Sequence, residues 1–149
     1  MVWGGIHLHG RTPLHLVRGT LTAVRYRDEI LQPLVVPTLQ AMGADAVLQD
    51  DNATPHRAHV VQDFLRDQPI VSMDWPSQSP DLAPIENLWD LLARRVNDRH
   101  PPPESTAQLF EILQREWMNL PQHTLVTLVE SMRRRCMECV AANGGYTHY

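Results

Sequence analysis

Two short apolar runs, DAVLQ at residues 45–49 and PIVSMDW at 69–75, each give way to a polar turn and then to a helix opened by proline, at Thr54-Pro55 and at Pro84. Both runs are too short for a helix and sit between turn-forming residues, so they read as strands, the first buried and central. Proline suits the first helical position because the N–H it lacks would be unbonded there, and Thr54 reads as the capping hydroxyl before Pro55. Strand, turn and helix, twice in succession, point to a mixed α/β architecture with helices packed on a sheet.

The rest of the chain fits that frame. Residues 2–8 (VWGGIHL) and 14–18 (LHLVR) read as strands of a hairpin, joined by HGRTP with Gly10 and Pro13 in the turn. A helix follows from about Thr22, with Tyr26, Ile30 and Leu31 at helical spacing, interrupted by Pro33 and Pro37 and ended by Gly43. Val60, Val61, Phe64 and Leu65 give the helix after Pro55 its apolar face; Ile85, Leu88, Trp89, Leu92 and Val96 do so after Pro84. RHPPPES (99–105) is a break, and Ser105 caps a helix running through Trp117. A last helix starts near Gln122, turns Leu125, Leu128, Val129, Met132, Cys136 and Val140 inward, and stops before Gly144 and Gly145.

With 149 residues the chain reads as one domain, a core over 1–98 and a helical tail over 104–143. No run reaches the eighteen or so apolar residues of a membrane helix, and MVWGGIHLHG lacks the basic start and apolar core of a signal peptide, so an intracellular or nuclear product is expected. The formal net charge is −4 and all thirteen basic residues are arginine. Composition therefore excludes a strongly basic nucleic-acid binder, and local arginine clusters such as Arg94-Arg95 and Arg133–Arg135 read as solvated helix faces. Cys136 and Cys139 form one CxxC without the second ligand pair of a structural zinc site, and read as a buried thiol pair. His7 with His9, and His56 with His59 one helical turn on, read as satisfied or exposed histidines rather than metal ligands; Trp75 and Trp89 read as core.

Chemistry is expected where the first strand ends, at Asp50 and Asp51, since open α/β sheets place ligands at the carboxyl ends of strands. Either acid could instead make an Asx turn or cap the helix that follows. Glu86 falls in the first turn after Pro84, where the exposed N–H groups favour a carboxylate, and it points away from the Ile85, Leu88 and Trp89 stripe together with Asp90. One carboxylate ending a strand and one opening a helix are oxygen ligands suited to Mg²⁺ or Mn²⁺, and a pair of such ions serves phosphodiester cleavage or transfer.

The blocks MVWGGI, HGRTPLHLVRGTLTAVRYRDEIL, LQDDNATPH and DWPSQSPDLAPIENLWDLLARRV resemble, in order and spacing, the catalytic domain of Tc/mariner-superfamily transposases, at least over residues 1–97. The resemblance implies a ribonuclease H-like fold and an Asp, Asp, Glu triad that binds divalent metal, Mg²⁺ or Mn²⁺, to cut transposon ends and join them to target DNA. The family's second Asp directly precedes an Asn, which selects Asp51; its Glu follows Pro-Ile, which selects Glu86. The thirty-four residues between them, 52–85, match the Tc branch. Asp51 and Glu86 are thus the expected catalytic and metal-binding residues, while Asp50 is expected to face away or make the turn, and His56 to orient the loop near Asp51.

Two departures stand out. Ala83 replaces the family's usual Asn before Pro84, a weaker N-cap by about 1 kcal/mol. No residue matches the family's first Asp, whose strand would precede MVWGGI, nor its N-terminal helix-turn-helix region, so Met1 reads as an internal methionine used as a start. The expectation is a sheet lacking its first strand and a DNA strand transferase or endonuclease domain inactive by itself, contacting DNA weakly, with a homo-oligomer as a further expected partner. The alternative is a non-catalytic, domesticated remnant serving as a protein-interaction module.

Overall fold

The computed structural model describes residues 1–145 and 147. The chain divides into two compact units, one formed by Met1–Gly4 and His15–Gln78, the other by Gly5–Leu14 and the chain from Ser79 onward. Its described strands are short: β1 (Val2–Trp3), β2 (Ile6–His7), β3 (Gly10–Arg11), β4 (His15–Leu16), β5 (Val47–Leu48) and β6 (Val71–Ser72).

In the first unit β1 pairs antiparallel with β4, Val2 opposite Leu16 and Trp3 opposite His15. The helical stretch after β4 begins at α1 (Ala23–Arg25), where the Thr22 hydroxyl accepts the Arg25 N–H at 3.3 Å. It widens at once into a π-helical segment, Tyr26–Val35, closed by the Val36 N–H on the Leu31 carbonyl, and ends as α2 (Val36–Met42). Pro33 lies inside that segment. In an α-helix its ring would collide with the carbonyl four residues back, and the wider winding relieves this crowding without a full break. Gly43, at φ 101°, ends the helix as expected.

β5 runs parallel to β6, Val47 opposite Val71 and Leu48 opposite Ser72. Between them lie α3 (Thr54–Arg57) and α4 (His59–Asp67), separated by Ala58 at ψ 144°. The buried side chains of this unit, Val17, Tyr26, Ile30, Leu31, Val35, Val61 and Leu65, form one cluster, so the π-helical segment and α4 supply most of its core. Two local expectations need correction. Thr54 is the first residue of α3 and makes no cap hydrogen bond; Ala53 holds the N-cap position. β5 is also not a buried central strand: β6 is its one hydrogen-bonded neighbour among the described residues, and both Val47 and Val71 stay exposed.

In the second unit β2 pairs antiparallel with β3, His7 opposite Gly10, so the chain reverses at Leu8-His9. Pro13 therefore lies beyond the turn, in the return arm, where a residue without an N–H costs no ladder bond. Thr12 is buried; its N–H donates to the Gly5 carbonyl at 2.9 Å and its hydroxyl accepts the Gly5 N–H at 2.8 Å. A 3₁₀ turn, Pro80–Leu82, leads into α5 (Pro84–Asn97), followed by α6 (Thr106–Met118), α7 (Gln122–Glu130) and α8 (Met132–Ala141). Ser105 caps α6 as expected, its Oγ accepting the Gln108 N–H at 3.2 Å. Leu14, Leu88, Leu92, Trp117, Leu120 and Leu125 form the core, with Trp89 stacked on Trp117 at 5.4 Å.

The expected single last helix is broken at Ser131 into α7 and α8. The break shifts the phase of the second half, so Arg135 is buried while Cys136 and Val140, expected inward, are exposed and Cys139 is half-buried. The thiols are therefore not a buried pair.

Candidate active site

The two acids that end β5 have opposite surroundings. Asp50 turns inward, its side chain 8% exposed, and accepts from the Tyr26 hydroxyl at 3.2 Å and from Arg57 Nη2 at 3.0 Å. Burial pushes its carboxyl above the usual carboxylate range, against the opposing pull of His56, Arg57 and the Tyr26 bond. Tyr26 is pushed up as well, first by burial and then by the neighbouring Asp50 charge, so its hydroxyl stays a donor. Its place at the head of the π-helical segment brings it to the end of β5.

Asp51 turns outward, its side chain 68% exposed. Its Oδ1 accepts the Ala53 N–H at 2.9 Å, an Asx turn that carries the chain from β5 into α3, and it meets His56 Nδ1 at 2.7 Å. Both contacts fall on Oδ1; among the described residues Oδ2 has none. The turn expected of Asp50 is thus made by Asp51, while Asp50 is held inward by Tyr26 and Arg57. Asn52 ties the loop to the end of β6, its Nδ2 donating to the Trp75 carbonyl at 2.5 Å while its Oδ1 accepts from Arg57 Nε at 2.7 Å.

The first unit therefore brings together Asp50, Asp51, Asn52, His56 and Arg57, with Tyr26 beneath them. Of these, Tyr26 and Arg57 escape sequence reading: Tyr26 reads as one apolar residue of a helical stripe, and no motif points to Arg57. His56 and His59 do not share a helix face, since the break at Ala58 places them on α3 and α4.

Glu86 lies in the second unit, in the first turn of α5, with an exposed side chain, as does Asp90 one turn on. Ala83 is the N-cap of α5 and offers no side-chain bond, while the Glu86 N–H reaches the Ala83 carbonyl at 3.2 Å. Leu88 and Leu92 carry the opposite, buried face of the helix. Asp81, just before α5, accepts from the Thr147 N–H and hydroxyl at 2.9 and 2.7 Å.

His7 and His9 stand edge to face at 6.5 Å, and burial followed by the His9 charge holds His7 below the usual imidazole range. Among the described residues no group of three or more His, Cys, Asp or Glu side chains is gathered to hold a metal ion. No helix of the described residues is long and apolar enough to cross a membrane.

Comparison with known proteins agrees with the order of the motifs. The chain is 36% identical over its whole length to the Tcb1 transposase of Caenorhabditis briggsae, 33% to the Tc1 transposase and 30% to the Tc3 transposase of Caenorhabditis elegans. It spans about half the length of these curated relatives, 54% of the first two and 45% of the third. Its structure superposes on the catalytic domain of the Mos1 mariner transposase with a TM-score of 0.83 at 21% identity, over 99% of this chain and 74% of that one. A Mos1 paired-end complex with Mn gives the same score and covers 99% of this chain and 44% of that one. The fold is thus ribonuclease H-like. A family model described as DDE superfamily endonuclease matches residues 1–109, and the chain belongs to that family.

Proposed function

We propose that this chain is part of a Tc/mariner-type transposase catalytic domain, cutting and joining DNA with Mg²⁺ or Mn²⁺ held by Asp51 and Glu86. The observation that carries the reading is the Asp51 carboxylate, pinned through Oδ1 at the end of β5 with Oδ2 left for a ligand. Hard oxygen donors suit these cations. Mg²⁺ in particular is commonly held by one or two carboxylates, with substrate phosphate oxygens and water completing its shell, so the residues present fit the ion. Catalytic domains of Mos1 with Mg and with Mn support the same choice of metal.

When bound, the cation would activate an attacking oxygen and stabilise the leaving oxygen of a phosphodiester. Asp51 offers Oδ2 while the Ala53 N–H and His56 hold Oδ1. Glu86 offers a carboxylate from the first turn of α5, where the helix dipole favours its negative charge. At a net charge of −4 the chain gains little from phosphate attraction, so its affinity for transposon-end and target DNA is weak without further basic segments. The substrate places its work at nuclear DNA, with a second copy of the chain as a partner.

Nicking of supercoiled plasmid tests the proposal. The account expects slow nicking in Mn²⁺ or Mg²⁺, none in EDTA, and none from Asp51→Asn or Glu86→Gln. A chain that nicks nothing in either metal, yet forms a concentration-dependent oligomer, would instead act as an interaction module.

A further inference from the structure

We infer that His56 is a positioning residue for Asp51: its Nδ1 edge lies against both Asp51 Oδ1 and the Asp51 carbonyl, so that Oδ2 is the oxygen presented to a divalent cation. The inference deepens the assignment of Asp51 as a metal ligand and rests on it.

The terminal torsion of an aspartate is broad and roughly two-fold, so an exposed carboxylate exchanges its oxygens unless something distinguishes them. Asp51 is exposed, yet one of its oxygens is held on two sides: the Ala53 N–H bonds Oδ1 at 2.9 Å and His56 Nδ1 lies 2.7 Å from it. The same nitrogen also bonds the Asp51 main-chain carbonyl at 3.3 Å, so the Nδ1 edge of the ring faces Asp51 at both its side chain and its backbone. The second Asp50 oxygen is 3.7 Å from the same nitrogen, too far for a hydrogen bond.

The imidazole is itself held. Its side chain is 12% exposed and lies over the Tyr26 ring with centroids 4.1 Å apart and planes 31° from parallel. Tyr26 is fully buried and anchored by its bond to Asp50, which Arg57 grips from the other side. Gln62 Nε2 adds a bond to the His56 carbonyl at 3.0 Å, fixing the backbone of α3 against α4. The layout is that of an outer-shell partner to a metal ligand, whose loss typically costs about 10–100-fold in metal affinity.

The test compares Mn²⁺ affinity, read by electron paramagnetic resonance titration of the full chain, across His56→Ala, His56→Asn and His56→Gln. Asn can place its amide N–H where Nδ1 stands, whereas Gln reaches toward the Nε2 position. The inference expects about a 10–100-fold loss in Ala and Gln and recovery of most of it in Asn. Equal affinity in Ala and the unaltered chain, or no advantage of Asn over Ala, overturns it.

A second reading needs no variant: ¹⁵N spectra of the unaltered chain should show the His56 hydrogen on Nδ1, and an Nε2–H tautomer contradicts the contact. Asp51→Asn separates this claim from the one beneath it. If that variant binds Mn²⁺ as well as the unaltered chain, or the unaltered chain shows no saturable binding, the assignment of Asp51 fails; if Asp51→Asn loses Mn²⁺ and His56→Ala does not, only the role of His56 fails.

Discussion

Arg135 shows how a single charged side chain can serve as core. It is 2% exposed on α8, and its guanidinium donates to the Asp81 carbonyl at 2.6 Å, to Asn87 Oδ1 at 2.5 Å and, through Nε, to Ser131 Oγ at 2.8 Å. A planar fork of donors reaches the 3₁₀ turn and α5 at once; a lysine offers one compact charge and cannot make the same set. Arg135→Ala should lower the unfolding free energy by about 2–3 kcal/mol, seen as an earlier urea midpoint, since it leaves buried acceptors without their charged donor. Arg135→Lys should recover less than half of that loss. Asp50 and Asp51 show what residue-level reading can reach. The family resemblance, through the Asn after Asp51, selected Asp51 as the ligand and left Asp50 to face away or make the turn. That Asp50 is the acid turned inward shows in its bond to Tyr26, 24 positions upstream of it, a contact that no local spacing encodes.

Among the elements, α5 and α6 are tied by ion pairs beyond their apolar seam. Glu116 on α6, its side chain 13% exposed, meets Arg99 and, at 3.4 Å, Arg95. The Arg99 bond, aided by Arg95 and opposed by burial, holds the Glu116 carboxyl below its usual range. A depressed carboxylate contributes stability that is fully present above its unfolded pKa, about 4.3, and is lost as pH falls through the lower folded value. Urea midpoints of the unaltered chain should therefore fall between about pH 5 and pH 3 more steeply than those of Arg99→Gln, and equal slopes would remove the bond from the account. Helix starts were legible in sequence: Thr22, Ser105 and Pro84 announce α1, α6 and α5. The π-helical winding and the break at Ser131 were not. Apolar periodicity assumes one constant pitch, and a change of pitch or a single non-helical residue rotates everything beyond it. That rotation is why Arg135, rather than Cys136, faces the core.

At the scale of the whole molecule, the mixed α/β class was legible because strand, turn and proline-opened helix recur in order. The strand lengths were not: paired segments of two residues are far shorter than the apolar runs that contain them. β5 and β6 leave Val47, Val71 and Met73 exposed beside the Asp50-Asp51 turn, on a parallel pair of a kind usually covered on both faces. Asp51 and Glu86 belong to different units and were linked in sequence by motif and by the thirty-four residues between them, a spacing carried by family resemblance rather than by any local rule. The central claim, that Asp51 and Glu86 are divalent-metal ligands, is tested most directly by replacing Mg²⁺ with Fe²⁺ in the full chain with ascorbate and mapping where the backbone is cut. The account predicts cuts beside Asp51 and beside Glu86, suppressed by excess Mg²⁺, with the cuts beside Asp51 lost in Asp51→Asn. Cuts confined to other segments, or unchanged in that variant, would contradict it.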